Sequence, residues 1–487
     1  MTHPKSVISI IAAVLCASVL AGDVVLAQST NAKTRPNMKR DRYLLLDSRI
    51  IESTDNVELT VGVVKKDENN PLFREDKPWE PRFDNPYSSV IYDEEEKIYK
   101  CWYSIFVKSD YEATPSDKRA WLDWHEGRRT FGLCYATSKD GLKWEKPELG
   151  IVEYGGNKKN NIVMYGYHGT TVIKDPRDSD PKRRYKAIHP FNKKTLVWFS
   201  PDGLNWEKHE TGGMCRGDTN QGVWWDEDLK KYVIITRAWG GAATTGRYGR
   251  QGHRQKVRSE SADFINWSKP EMAIEGLDLR MQIHDMPVVP HAGVYIGMVG
   301  LFDIEASKQW CELAWSPDSI TWHRIQPGRP LIPNGPVMGD YDWGCIFASK
   351  PIIREDEILL YYGANDGRFM AWRNGFFCLA RMRPDGFAGY EQMAGGSNKT
   401  GSLRTKPVAV VGDSLCISAD VAPSGFVKVT LLDKDDNKLA EGELVPKTVT
   451  DAEIKWKDGF SLKTLRDKDV KINFELRESK LFSFSFR

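Results

Sequence analysis

What this sequence withholds narrows the field first. It has no charge excess: 69 basic residues stand against 67 acidic ones, a net of +2 over 487 residues. A nucleic-acid binder normally concentrates a basic surplus, so that class is set aside. No long like-charge block occurs; Asp93-Glu94-Glu95-Glu96 is short and reads as a hairpin tip. Helical periodicity is nearly absent, and beyond the first thirty residues no stretch suits a bilayer span. There is no G-x-S-x-G elbow, no P-loop, no H-E-x-x-H and no dinucleotide fingerprint. The eight cysteines show no C-x-x-C spacing, which argues against a zinc site. No cofactor and no metal are therefore expected.

What is there begins with a leader. Lys5 gives a weakly positive start, Val7 to Leu20 is uncharged and largely apolar, and Val25-Leu26-Ala27 offers a small-residue cleavage site. That order is a secretory signal peptide over residues 1–27, so a secreted or periplasmic protein is expected. Removing it leaves seven cysteines, an odd number, several of them inside strand-like runs such as Lys100-Cys101-Trp102-Tyr103. Export permits disulfides, but duty as small buried hydrophobes is the plainer reading for most of them.

The strongest signal is a repeat. Ser138-Lys139-Asp140-Gly141 leads to Trp144, Ser200-Pro201-Asp202-Gly203 to Trp206, Ser261-Ala262-Asp263-Phe264 to Trp267, and Ser316-Pro317-Asp318-Ser319 to Trp322. A fifth copy, Arg383-Pro384-Asp385-Gly386, keeps only the turn. The starts are 62, 61, 55 and 67 residues apart. An Asp in a tight turn bonds its own backbone, Gly supplies positive φ, and the Trp packs back on the sheet. Between these turns lies a second hairpin, as in Val90-Ile91-Tyr92 with Ile98-Tyr99-Lys100-Cys101-Trp102. Two hairpins make a four-stranded blade, and five units make a five-bladed β-propeller. Past a polar linker holding Gly395-Gly396-Ser397, strict alternation begins: Val427/Val429/Leu431, Ile472/Phe474/Leu476, Phe482/Phe484/Phe486. An all-β chain is expected, with a propeller over 28–394 (including an N-terminal extension, 28–80) and a β-sandwich over 395–487.

Tyr135-Ala136-Thr137-Ser138-Lys139-Asp140-Gly141-Leu142-Lys143-Trp144, Asp202-Gly203-Leu204-Asn205-Trp206 and the tail Phe474-Glu475-Leu476-Arg477-Glu478-Ser479 resemble the blade and tail signatures of propeller glycoside hydrolases. A propeller with a trailing sandwich is the layout of glycoside hydrolase family 32, and the propeller alone is shared with family 43. The resemblance is architectural: the S-x-D-x-x-x-W turns specify a blade, not a reaction, and they also resemble the structural Asp boxes of sialidases.

Cleavage of a glycosidic bond needs two carboxyl groups flanking it. In a propeller the innermost strand of each blade starts near the central funnel, so acids just before those strands are the candidates. Asp84, in Arg82-Phe83-Asp84-Asn85-Pro86, resembles the family 32 nucleophile segment, although the order there is Asp-Pro-Asn. In the second blade the family's Arg-Asp-Pro is replaced by Tyr167-His168-Gly169-Thr170-Thr171. Here His168 is a candidate sugar ligand, and Asp175 reads as a turn residue. The third blade offers Arg216-Gly217-Asp218-Thr219-Asn220-Gln221 where the family places its acid, a Glu. Asp218 can fill that role if burial raises its pKa, with Arg216 and Asn220 bonding substrate hydroxyls. The fourth offers His284-Asp285 and the fifth Asp340-Tyr341-Asp342-Trp343, with Trp343 a platform for a sugar ring. Asp285 or Asp342 would complete a carboxylate cluster. For each of these positions a turn, cap or loop-closing ion pair is the structural alternative. The polar insert from Asp110 to Arg129 is a lid or a surface loop. Arg247, Arg250 and Arg254 are candidates to hold an anionic group such as a sulfate or uronate.

These readings predict a glycoside hydrolase acting on a poly- or oligosaccharide, with Asp84 as base or nucleophile and Asp218 as acid. The alternatives are a non-catalytic carbohydrate-binding propeller, favoured by the missing blade-two motif and blade-three Glu, or a propeller phosphorylase or lyase.

Overall fold

The structure, a computed structural model, describes residues 40–487 apart from 84, 110–128, 167, 192–193, 211–216, 219, 241–252, 372 and 395–398. Among these the regular elements are strands and a few short 3-10 turns, so the fold is all-β. The leader, Cys215 and the Gly395-Gly396-Ser397 linker lie outside the described residues.

Five antiparallel arrays follow one another along the chain. The first is Ser88–Asp93, Ile98–Ser109, Arg129–Ser138 and Ile162–Tyr165. The second is Thr171–Lys174, Tyr185–Phe191, Lys194–Ser200 and Glu207–Glu210. The third is Gly222–Asp226, Lys231–Gly240, His253–Ser261 and Glu271–Ile274. In the fourth, Met281–Asp285 and Val288–His291 share the inner position against Val294–Asp303, followed by Lys308–Ser316 and His323–Arg324. The fifth runs from Cys345–Ala348 and Ile352–Ile353 through Ile358–Asn365 to Gly375–Met382. Its outer edge is completed by Lys65–Lys66 and Phe73–Arg74 from the N-terminal extension. Two strands in the middle of an array, Val294–Asp303 and Ile358–Asn365, are buried at every position. Their apolar runs are therefore continuous rather than alternating, because both faces of the array are covered.

The repeated turns work as their residues require. Asp140 Oδ1 accepts from the backbone N–H of Leu142 and Lys143, both at 2.8 Å, while Ser138 Oγ accepts from Gly141 N–H. The same geometry recurs around Asp202, Asp263 and Asp318. The position after the Asp has positive φ in all four copies, even where it is Phe264 (67°) or Ser319 (63°). Each turn then touches the array before it. Trp102 donates to Gly203 O, Phe264 packs on Phe199, Arg258 donates to Ser319 Oγ, and Asp385 meets His291. The first turn closes the circuit, because Tyr361 of the fifth array donates to Gly141 O.

A second set of ties joins the inner hairpins. Tyr185 donates to Asp93, Tyr232 to Asp175 and Tyr295 to Asp226, each pair bridging consecutive arrays. A cavity of about 330 Å³ is lined by inner-strand residues of all five arrays, among them Ser89, Thr171, Gln221, Val288 and Lys350.

After the fifth array, Ala388–Gln392 pairs with both Val57–Val61 and the final strand Asp469–Phe486. The strands Leu415–Leu432 and Asp469–Phe486 are each 18 residues long and pair along most of their length. Both halves of each supply one apolar cluster, including Ile417, Val427, Val429, Leu431, Phe474 and Phe484. Arg42–Leu44 pairs with the last strand as well. The six described cysteines are all buried.

Candidate functional site

The segments that precede the inner strands meet at one place. Tyr87, just before the first inner strand, lies with its ring nearly parallel to that of His284, at 6.1 Å and 16°. Its ring centre also lies 5.1 Å from that of His168. His168 in turn lies against Phe106 and Phe131, with ring centroids 5.7 Å and 4.8 Å away. His284 is edge-on to Phe347 and Phe369. Four of the five arrays, the first, second, fourth and fifth, are thus in contact through aromatic faces.

The third array adds charge. Asp218 is the accessible carboxylate, with its side chain 38% exposed, and it ion-pairs with the buried Arg237 at 2.6 Å. Arg237 also donates to the carbonyl of His284, at 2.8 Å and 3.2 Å, and the buried ammonium of Lys256 donates to that same carbonyl at 2.8 Å. Arg254 donates to Gln282 Oε1. Its guanidinium lies 5.0 Å from the ring centre of Trp239 and 5.1 Å from that of Phe302. Arg254, Lys256 and Arg258 are alternate residues of His253–Ser261, so they share the face turned toward the fourth array. Arg258 is spent on the Ser319 turn, and the other two point to the site end.

Asp285 lies beneath this layer and is fully buried. Asn220 donates to one of its oxygens at 3.1 Å and Gln309 to the other at 2.6 Å. A Cβ on Gly300 would come within 2.0 Å of Asp285 Oδ1, so the neighbouring strand must carry glycine there. Burial raises the Asp285 carboxyl above the ordinary range, against the pull of Lys256 and Arg237. Burial lowers the Lys256 ammonium, and Arg237 adds to that shift. His284 is held well below its usual value by burial and by Arg237, Arg254, Lys256 and Arg373, so its ring is neutral. His189 is pushed down to about 4 by burial, with His168 adding and Asp218 opposing.

The residues singled out from the sequence distribute as follows. Asp218, Asn220, His168, His284 and Asp285 come together. Asp342 is engaged elsewhere: buried, it ion-pairs with Lys66 at 2.6 Å and accepts from Tyr362. The half-buried ring of Trp343 carries the Lys308 ammonium 4.1 Å from its centre. Asp84, Arg216, Arg247 and Arg250 lie outside the described residues. The neighbours of Asp84 are well fixed, however. Phe83 O accepts from Asn365, and Asn85 bonds Tyr87 and receives Arg373 at 2.5 Å. Asp175 is a turn residue, accepting from Arg177 N–H, and it is also the inter-array partner of Tyr232. The sequence reading missed Tyr87, His189, Arg237, Lys256 and Arg373. A usable sign was the run of cations at every second position from Arg254, in a strand with covered faces.

No family model matches this chain, and no curated protein matches it. Among solved structures it is similar to an N-acetylgalactosamine deacetylase from F. plautii, at 14% identity and a TM-score of 0.44, over 67% of this chain and 95% of that one. It is also similar to a β-1,2-mannobiose phosphorylase from Listeria innocua, at 12% identity and 0.46, over 66% and 96%. A third is a glycoside hydrolase-type protein from Bacteroides ovatus, at 13% identity and 0.41, over 65% and 96%.

Proposed function

We propose that the chain is an exported, carbohydrate-active enzyme that cleaves a glycosidic bond at the cluster of Tyr87, His168, Asp218 and His284. In this reading the five arrays are the blades of a five-bladed propeller of the glycoside hydrolase family 32/43 kind, followed by a β-sandwich. The single observation that carries it is the convergence of segments far apart in the chain on one accessible carboxylate, Asp218, beside a buried one, Asp285. Asp218 acts on the bond. Asp84, between the fixed residues Phe83 and Asn85, supplies the second carboxylate. Asp285 lies too deep to reach a sugar and acts by holding Asn220 and by its charge.

The cations at the site favour one second reading, phosphorolysis, in which inorganic phosphate takes the place of water as acceptor. A screen of poly- and oligosaccharides with reducing-end detection, run with and without phosphate, separates the two. Asp218→Asn and Asp84→Asn are each expected to lower turnover by about 10²–10⁴-fold while the variants stay folded. Full turnover by both variants removes this site assignment, and binding without cleavage turns the protein into a lectin.

A further inference from the structure

Asn220 holds Asp285 with its side chain and also lines the cavity of about 330 Å³ among the inner strands. The rest of that lining is unlike the cluster around Asp218. Val90, Val172, Val223, Pro287 and Val288 make much of it apolar, and Lys350 of the fifth array adds a cation. Among the described residues Lys350 has neither an ion pair nor a hydrogen bond. Its side chain is exposed, yet burial pushes its ammonium down from the ordinary lysine value, and no carboxylate acts against that shift. An ammonium that is wetted and still feels burial opens into an internal space, not onto the outer surface.

The other charges on the lining are taken. Glu94 pairs with Lys97 at 3.0 Å, Glu95 pairs with Arg184 and lies 3.6 Å from Lys174, and Lys174 is 2.7 Å from Asp93. Hydroxyl protons, by contrast, are left over. Ser89 Oγ accepts from Val172 N–H at 2.9 Å, and its own O–H meets no acceptor among the described residues. Ser88 Oγ lies 2.6 Å from Oγ of Ser349, the chain neighbour of Lys350, so one proton sits between them and the second is spare. One cation, spare O–H donors and apolar walls, in a space at the small end of ligand-pocket sizes, suit a small amphipathic anion. A doubly charged, strongly hydrated anion would give up its water to valine side chains for a single positive charge. A carboxylate with a short alkyl tail matches both the charge and the walls.

We propose that this cavity binds a short-chain aliphatic monocarboxylate, with its carboxylate at the Lys350 ammonium and its tail against the valines. The ligand class is independent of the reaction assigned to Asp218.

The test is calorimetric titration of the full chain with acetate, butyrate and hexanoate. Hexanamide is the uncharged counterpart, and chloride and inorganic phosphate are anions without a tail. Hexanoate is expected to bind once per chain, about tenfold or more tightly than hexanamide. Affinity should rise about fourfold for each methylene added from acetate to butyrate. Lys350→Gln should weaken hexanoate binding about tenfold or more, and Lys350→Arg should keep part of it. Hexanoate should also raise the melting temperature of the wild type and leave that of Lys350→Gln where it was. Absence of hexanoate binding overturns the proposal, as does equal binding of acid and amide, or unchanged hexanoate binding by Lys350→Gln. A flat series from acetate to butyrate, or chloride or phosphate binding as tightly as hexanoate, overturns it too, because the apolar walls then add nothing.

Discussion

Trp102 of the first array donates its indole N–H to the carbonyl of Gly203 in the second, at 2.7 Å, and the ring stands so close that a Cβ on Gly203 would lie 2.6 Å from it. Gly203 also has φ of 79°. Two requirements therefore fall on one residue, a left-handed backbone and an absent side chain. Gly150 has only the first, with φ of 70° and nothing within 4 Å of a Cβ. Gly150→Ala is expected to cost about 1 kcal/mol, from backbone strain alone. Gly203→Ala should cost at least about 2 kcal/mol, since the Trp102 contact must also give way. Urea unfolding of the two variants checks this, and equal losses would mean the contact is soft.

Tyr232 reaches across to Asp175 of the preceding array. Tyr232→Phe leaves a buried carboxylate one donor short, with Lys186 at 3.1 Å still in place. A loss of about 1–2 kcal/mol is expected, read as a lower urea midpoint at unchanged slope.

His189 sets a stability change in mild acid. Its pKa is about 4 in the fold against an ordinary 6.5. Above pH 6.5 both folded and unfolded chains carry it neutral, so nothing is lost there. Between 6.5 and 4 the unfolded chain takes up a proton that the folded chain refuses, and stability falls with pH. At pH 5 the loss is about 2 kcal/mol relative to pH 7. His189→Gln should remove that share of the decline; the buried His284 keeps the remainder. An unaltered pH 7-to-5 difference in the variant would contradict the assignment.

Asp385 acts in a lower window. Burial works to raise its pKa, but His291, the charge of Arg42 and the Ser483 hydroxyl together hold it at about 2, against an ordinary 3.8. The stabilisation is complete above about pH 4 and is lost as pH falls toward 2. It amounts to roughly 2 kcal/mol. Asp385→Asn is expected to be less stable than wild type by that amount at neutral pH and to converge with it near pH 2, as thermal unfolding across that range would show.

Local chemistry was the legible part. The turns around Asp140, Asp202, Asp263 and Asp318 close on their own backbone, so their residues carry all the information needed. The convergence of Asp218 with His284 followed from placing each at the start of an inner strand. The inter-array ties were not legible: Asp175 and Tyr232 are 57 residues apart and Asp93 and Tyr185 are 92 apart, so no spacing rule links them. Arg237 and Lys256 were missed for a related reason. Alternation says which residues share a face of a strand, but not whether that face meets water or the next array. Asp342 lies before its strand as Asp218 does, yet Lys66 from the N-terminal extension captures it, a partner that repeat logic does not supply.

Arg42–Leu44 finds its partner in Ser483–Ser485, within the strand Asp469–Phe486. Ala388–Gln392 and Gly401–Thr405 lean on the same final strand. Val408–Ala409 and Leu415–Leu432 pair with it too, and without that strand these five earlier segments hold bare β edges that invite wrong pairing. Shortening the chain by its final dozen residues should therefore do more harm than its size suggests, because it unlatches the first strand and the last array's exit together.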